Sequence, residues 1–190
     1  MVLNKIRSKI EPVTMSIGSS LGKAGVPPSI LTAAGFLLAV LAGFSYGLRP
    51  SQAYIAAILI VLSGLMDMLD GAVARATSRV SRRGSFADSA LDRLAEIAIF
   101  GGVIYGGYGI PAVIVLLALA FSLLVSYVRA KGESLNIGIS GVGVGERAER
   151  LIVLIIFSLA GYVSLGVYIV LILAAFTFVQ RYLHVFRKLV

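Results

Sequence analysis

The stretch Asp67–Asp92 reads DMLDGAVARATSRVSRRGSFADSALD. Four aspartates stand in it as two pairs, Asp67 with Asp70 (i, i+3) and Asp88 with Asp92 (i, i+4). At helical periodicity the members of each pair share one face. Apolar sequence lies on both sides, so the reading of these carboxylates decides the fold.

The chain has 190 residues, 58% of them hydrophobic and only 14% charged. Its uncharged runs exceed what a membrane span requires, which points to a polytopic membrane protein with one domain over residues 1–190. Residues 1–26 are mixed and basic, without the continuous apolar stretch of a signal peptide, and are expected to form a juxtamembrane segment. The chain has no cysteine, which excludes thiol catalysis, disulfides and thiolate metal sites. A lone histidine, His184, excludes a multi-histidine metal site. The net charge of +8 is distributed as topology, not as a nucleic-acid footprint. Basic residues cluster at Lys5–Lys23, Arg75–Arg93, Arg129–Arg150 and Arg181–Lys188, with Arg49 alone elsewhere. The positive-inside rule puts those four clusters, and both termini, in the cytoplasm.

A spanning helix needs roughly 20 residues. Pro28 to Leu48 satisfies this directly, with Pro27-Pro28 setting the start. The clean apolar part of the second span, Ala53 to Met66, is too short and must continue through Asp67, Asp70 and Ala74. The third, Ile97 to Tyr105, is too short in the other direction and must begin near Gly84 or Ser85. The fourth is Pro111 to Val128. Leu151 to Gln180 yields two helices if the chain breaks at Gly161–Gly166, one from about Glu146 and one through Arg181. The expected architecture is all-α: six transmembrane helices over 28–188. Before them, Leu3, Ile6, Ile10 and Val13 at helical spacing, with Lys5, Arg7 and Lys9 between, predict an amphipathic helix in the inner interface. The length count therefore drives the aspartates into the cytoplasmic end of the membrane, where ionisable residues mark functional sites.

Residues Thr77–Arg83 are a loop short enough to make the two aspartate helices antiparallel neighbours. Four unpartnered carboxylates on facing helices could not all stay ionised. Two divalent cations would neutralise them, and oxygen-only ligands favour Mg²⁺, Mn²⁺ or Ca²⁺. Gly71 and Ala74 lack bulk, so a ligand or partner helix can approach. Arg75 is placed to meet a phosphate.

The pattern DG-x2-AR-x8-G-x3-D-x3-D resembles the signature of the CDP-alcohol phosphotransferases. It is matched without a gap by Asp70, Gly71, Ala74, Arg75, Gly84, Asp88 and Asp92, with a common further aspartate at Asp67. The resemblance extends over essentially the whole chain. It implies that a CDP-activated lipid donates its phosphatidyl-type group to an alcohol and that CMP leaves. It further implies that Asp67, Asp70 and Asp88 hold two divalent ions, Mg²⁺ or Mn²⁺, with Asp92 also at that site and acting as the base toward the acceptor hydroxyl. Gly71, Ala74, Arg75 and Gly84 would line the CDP-lipid pocket. Many members carry Pro-Asn-x-x-Thr before the first span. Here Pro28-Ser29-Ile30-Leu31-Thr32 stands there, leaving Thr32 to approach the diphosphate. A homodimer is likewise implied by the resemblance alone.

Three further segments bear on the acceptor. Ser126-Tyr127-Val128-Arg129-Ala130-Lys131 ends the fourth span, Glu146-Arg147-Ala148-Glu149-Arg150 begins the fifth, and Gln180-Arg181 lies near the end of the sixth. Five cations thus converge on one membrane boundary, which suits an anionic acceptor. These segments resemble the inositol-phosphate branch of the family, with Ala148 where a proline is common. By that resemblance Ser126, Arg129, Lys131, Arg147, Arg150 and Arg181 would cradle the phosphate of inositol 1-phosphate. The donor would be CDP-diacylglycerol or CDP-archaeol, and glycerol 3-phosphate is the alternative acceptor. The Gly-rich stretch Gly138–Gly145 reads as a linker or lid. An intramembrane prenyltransferase would separate its aspartate motifs further, and a small ion carrier would hold its acids deeper.

Overall fold

The computed structural model describes residues 2–139 and 141–189, with side chains from Glu11 onward. The side chains of Leu3, Lys5, Ile6, Arg7, Lys9 and Ile10, and the placement of the C-terminal Val190, lie outside that range. Among the described residues the chain forms seven α-helices and no strand. They are α1 (Val2–Lys23), α2 (Pro28–Leu48), α3 (Ala53–Ala76), α4 (Arg82–Tyr105), α5 (Ala112–Ser134), α6 (Arg147–Leu159) and α7 (Val163–Lys188). Helix α2 packs on α3 and α4, α5 on α7, and α6 on α7 and α3. Their shared core contains Ala39, Tyr46, Ile60, Ile99, Val115, Leu154 and Val167.

Four of these helices are long and apolar enough to cross a membrane: α2, α3 with its preceding Pro50–Gln52 turn, α5 and α7. Of the six expected spans, four therefore correspond to helices sufficient on their own, and α4 and α6 do not qualify. Helix α4 carries its charges in its first four turns. Helix α6 has 13 residues, a rise of about 20 Å, which falls short of a hydrocarbon core of roughly 30 Å. The break before α7 falls where the glycines place it. Gly161 adopts φ 79°, its N–H donates to the Ser158 carbonyl, and the Tyr162 N–H donates back to Phe157. That is a left-handed glycine closing a helix and satisfying its last carbonyls.

Close helix contact is made through residues without side chains. A Cβ on Gly102 would lie 1.9 Å from the Gly43 carbonyl oxygen, and one on Gly43 would lie 2.2 Å from that of Ala98. Backbones of α2 and α4 thus touch directly, as small residues permit between membrane helices. Helix α1 follows the same rule. Its buried or half-buried positions Thr14, Gly18 and Gly22 form an i, i+4 row, and a Cβ on Gly18 would meet Ala72 of α3 at 2.7 Å. Val13 and Ile17 stay exposed on the other side. Helix α1 therefore attaches to α3 by a small-residue row and leaves Val13 and Ile17 outward.

The end of the bundle remote from the aspartates is tied by side chains. The Tyr46 hydroxyl and Ser158 Oγ share a buried hydrogen bond, linking α2 to α6. The Tyr108 hydroxyl donates to the Tyr46 carbonyl at 3.0 Å, and Ser164 Oγ donates to the Tyr108 carbonyl. The two tyrosine rings meet edge to face at 5.8 Å.

Candidate active site

Helices α3 and α4 follow one another across the residue 77–81 turn, but they are joined mainly through α2, which packs on both, and not as the direct neighbours the short loop suggests. Ser81 caps α4, its side chain accepting from the Gly84 N–H at 3.0 Å, so α4 starts early enough to carry Asp88 and Asp92 inward. Asp67, Asp70 and Asp88 converge so that one carboxylate oxygen from each lies within 4.8 Å of the others. Asp67 is exposed, Asp88 is half-buried and Asp70 is buried. Thr32 of α2 donates through Oγ1 to Asp70 Oδ2 at 2.6 Å, placing the α2 entrance against the aspartates. A cleft beside them is lined by Thr32, Gly35, Phe36, Ser63 and Ala95 together with the three carboxylates. Three oxygens this close, with one already oriented by a hydroxyl, fit a hard divalent cation better than they fit each other.

Asp92 is not one of that trio and faces Arg147 at the start of α6. Arg147 Nη1 approaches Asp92 Oδ1 at 2.7 Å, and Arg93 reaches the other oxygen at 3.4 Å. Of the remaining motif residues, Gly71 and Ala74 are half-buried, and Arg75 and Gly84 are exposed. Arg75 folds back over Gly71, whose missing Cβ would sit 3.2 Å from the guanidinium.

The cationic residues divide into two groups. Arg150 is buried and donates to the Gly145 carbonyl at 2.7 Å, to Glu96 at 3.3 Å and to the Ser122 carbonyl at 3.5 Å. Arg181, also buried, donates to the carbonyls of Val142 at 2.9 Å and Val125 at 3.2 Å and to Glu146 at 3.3 Å. Both guanidiniums hold the segment before α6 in place. Arg129 and Lys131 are exposed, with Arg129 paired to Glu133 of the next turn at 2.9 Å, and Ser126 Oγ bonds back to the Ser122 carbonyl. The Gly-rich segment is held as well: the Gly145 N–H donates to Thr177 Oγ1 at 2.8 Å, and Ile139 is buried. A linker held at so many points is not a freely swinging lid. Glu146 and Glu149 form a capping box, which fixes the start of α6 and puts Arg147 and Arg150 in its first turn.

Among the described residues, one buried acid that the sequence pattern did not single out is Glu96. It continues the Asp88, Asp92 series by another four residues, and that spacing was the available signal.

A family model described as CDP-alcohol phosphatidyltransferase matches residues 26–181. The chain belongs to that family. It is therefore an enzyme of a transferase family that works at membranes. The archaetidylinositol phosphate synthase of Pyrococcus horikoshii is 39% identical over 180 residues, covering 95% of this chain and 94% of that protein. Among solved structures, Mycobacterium tuberculosis phosphatidylinositol phosphate synthase with CDP-DAG bound superposes with a TM-score of 0.79. The identity is 26%, and 92% of this chain and 94% of that one are covered. The same protein in complex with manganese and citrate gives 0.80 at 26% identity, covering 91% and 88%.

Proposed function

We propose that the chain transfers a phosphatidyl-type group from a CDP-activated lipid, CDP-diacylglycerol or CDP-archaeol, to the hydroxyl of inositol 1-phosphate, releasing CMP. The observation that carries this reading is Arg147. It brings the cationic start of α6 within 2.7 Å of Asp92, beside the three-carboxylate cluster. An anionic acceptor held by α6 would thus meet the donor at the aspartates.

Asp67, Asp70 and Asp88, with Asp92 also at that site, would hold two divalent ions, Mg²⁺ or Mn²⁺, which would neutralise the diphosphate and the departing CMP. Thr32 orients Asp70. Gly71, Ala74, Arg75 and Gly84 would bound the CDP-lipid pocket, with Arg75 free to swing toward phosphate. Asp92 would take the acceptor hydroxyl proton, its carboxylate aimed by Arg147. Arg147, Arg129 and Lys131 would meet the acceptor phosphate, within a frame set by Ser126, Arg150 and Arg181. An anionic acceptor would give the exposed Arg129 and Lys131 a charged partner that a neutral polyol lacks.

The test is CMP release from a CDP-lipid with inositol 1-phosphate, glycerol 3-phosphate, free inositol and serine. One charged hydrogen bond contributes about 1.5–3 kcal/mol, so inositol 1-phosphate should be preferred over free inositol by at least about tenfold. Preference for free inositol or serine would refute the anionic acceptor. Preference for glycerol 3-phosphate would keep the pocket and change its ligand.

The same reading takes α2–α7 as six crossings in the cell membrane, with α4 and α6 completed by their neighbours, and puts both termini and the aspartates at the cytoplasmic face. Single cysteines should label from the cytoplasm at Lys23, Arg82 and Gly141 and from outside at Arg49 and Gly107. Labelling of Gly141 from outside would invert or break this topology. The homodimer expected of the family would be removed by cross-linking in native membranes that yields monomer only.

A further inference from the structure

We propose that Glu96 is a positioning residue of the metal site, holding Arg147 in balance so that Asp92 stays available to the cation. The inference rests on the reading of the aspartates as metal ligands and goes beyond it, because Glu96 lies outside the family signature.

Asp88, Asp92 and Glu96 occupy one face of α4 at successive i, i+4 positions. Asp88 lines the cleft and Asp92, one turn on, pairs with Arg147, whereas Glu96 is only 3% exposed. A carboxylate so far from water persists only against cations. Two are supplied by consecutive turns of α6. Arg150 Nη2 lies 3.3 Å from Glu96 Oε1, and Arg147 Nε lies 3.3 Å from the same oxygen. Arg150 has other acceptors in Gly145 and Ser122. Arg147 has one other, Asp92, at the shorter distance of 2.7 Å. Arg147 Nε and Glu96 Oε2 are both buried without a hydrogen-bond partner, so the Arg147–Glu96 contact is an attraction of charges and not a locked hydrogen bond. Arg147 is therefore shared between two carboxylates. With the Glu96 charge removed, its whole attraction falls on Asp92, which a cation would then have to displace.

This mechanism differs from a direct field of Glu96 on the metal, and a double-mutant cycle separates the two. Mn²⁺ binding to purified protein in detergent is measured by the free-ion electron paramagnetic resonance signal, independently of turnover. Glu96→Gln should weaken Mn²⁺ binding by about tenfold in the wild-type background. In an Arg147→Gln background the same change should alter it by less than about twofold. Size-exclusion profiles and melting temperatures check that each variant folds. If Glu96→Gln does not fold, Glu96→Asp, which draws the carboxylate back by one methylene, completes the same cycle. An equal loss in both backgrounds, or no loss in the first, would overturn the proposal while leaving the metal site intact. A wild-type protein that binds no Mn²⁺ would instead refute the reading of the aspartates on which the proposal rests.

Discussion

Asp70→Asn is expected to abolish CMP release, with a loss of at least about a hundredfold, since changes even to residues behind metal ligands cost 10–100-fold. The substitution is close to isosteric. Its amide oxygen can still accept from Thr32 Oγ1, which lies 2.6 Å from Asp70 Oδ2 in the native protein, so the α2–α3 contact should survive. What is lost is one negative charge from the trio of oxygens within 4.8 Å of one another. Asp67→Asn and Asp88→Asn should behave alike, because each removes a ligand from the same point. Asp92→Asn should also fail, by loss of the base and of its pairing with Arg147. Circular dichroism and size-exclusion in detergent establish folding, and CMP release establishes turnover. Full activity in any two of the four variants would end the assignment.

Arg150→Met should act on stability before it acts on catalysis. Methionine keeps the length of the side chain's stem as far as Nε and removes its charge. Glu96, 3% exposed, would lose its hydrogen-bonded partner, and the Gly145 carbonyl would lose its donor. Breaking a buried ion pair from one side costs about 3–5 kcal/mol, and in a chain of this size that lowers the melting temperature by roughly 10 °C. Adding Glu96→Leu should recover part of the loss, since an apolar pair leaves no buried charge. An unchanged melting temperature with a raised acceptor KM would assign Arg150 to the substrate and not to the frame.

The contrast between Asp70 and Arg150 shows what the sequence can and cannot reveal. The convergence of Asp67, Asp70 and Asp88 is legible because helical spacing fixes which face each aspartate pair shares. The break at Gly161 is legible for a similar reason, as glycine's left-handed conformation is a local property. The partners of Arg150 and Arg181 are not. Each reaches backbone carbonyls from segments distant in sequence: Arg150 reaches Ser122 and Arg181 reaches Val125 and Val142. No pattern of side chains advertises a carbonyl. The capping box at Glu146 and Glu149 stands in the sequence as two acids among arginines, where the cations draw the eye. The packing row of α1 was hidden because glycines make no hydrophobic stripe. Span counting from composition also assumes that each helix crosses independently, whereas α6 is too short for that and lies against α3 and α7.

The hydrogen bonds joining Tyr46, Ser158, Tyr108 and Ser164 close the bundle at the end away from the aspartates. The cleft, by contrast, lies among the aspartates at the other end. On the function proposed above, donor and product would then share one entrance, and neither could pass through the protein. New headgroups would be installed in a single leaflet, leaving the membrane compositionally lopsided at the moment of synthesis. Any presence of the product in the opposite leaflet would have to come from a separate lipid-translocating activity. The permeability barrier would survive a water-soluble reactant working within it, because that reactant would see only a pit and never a passage.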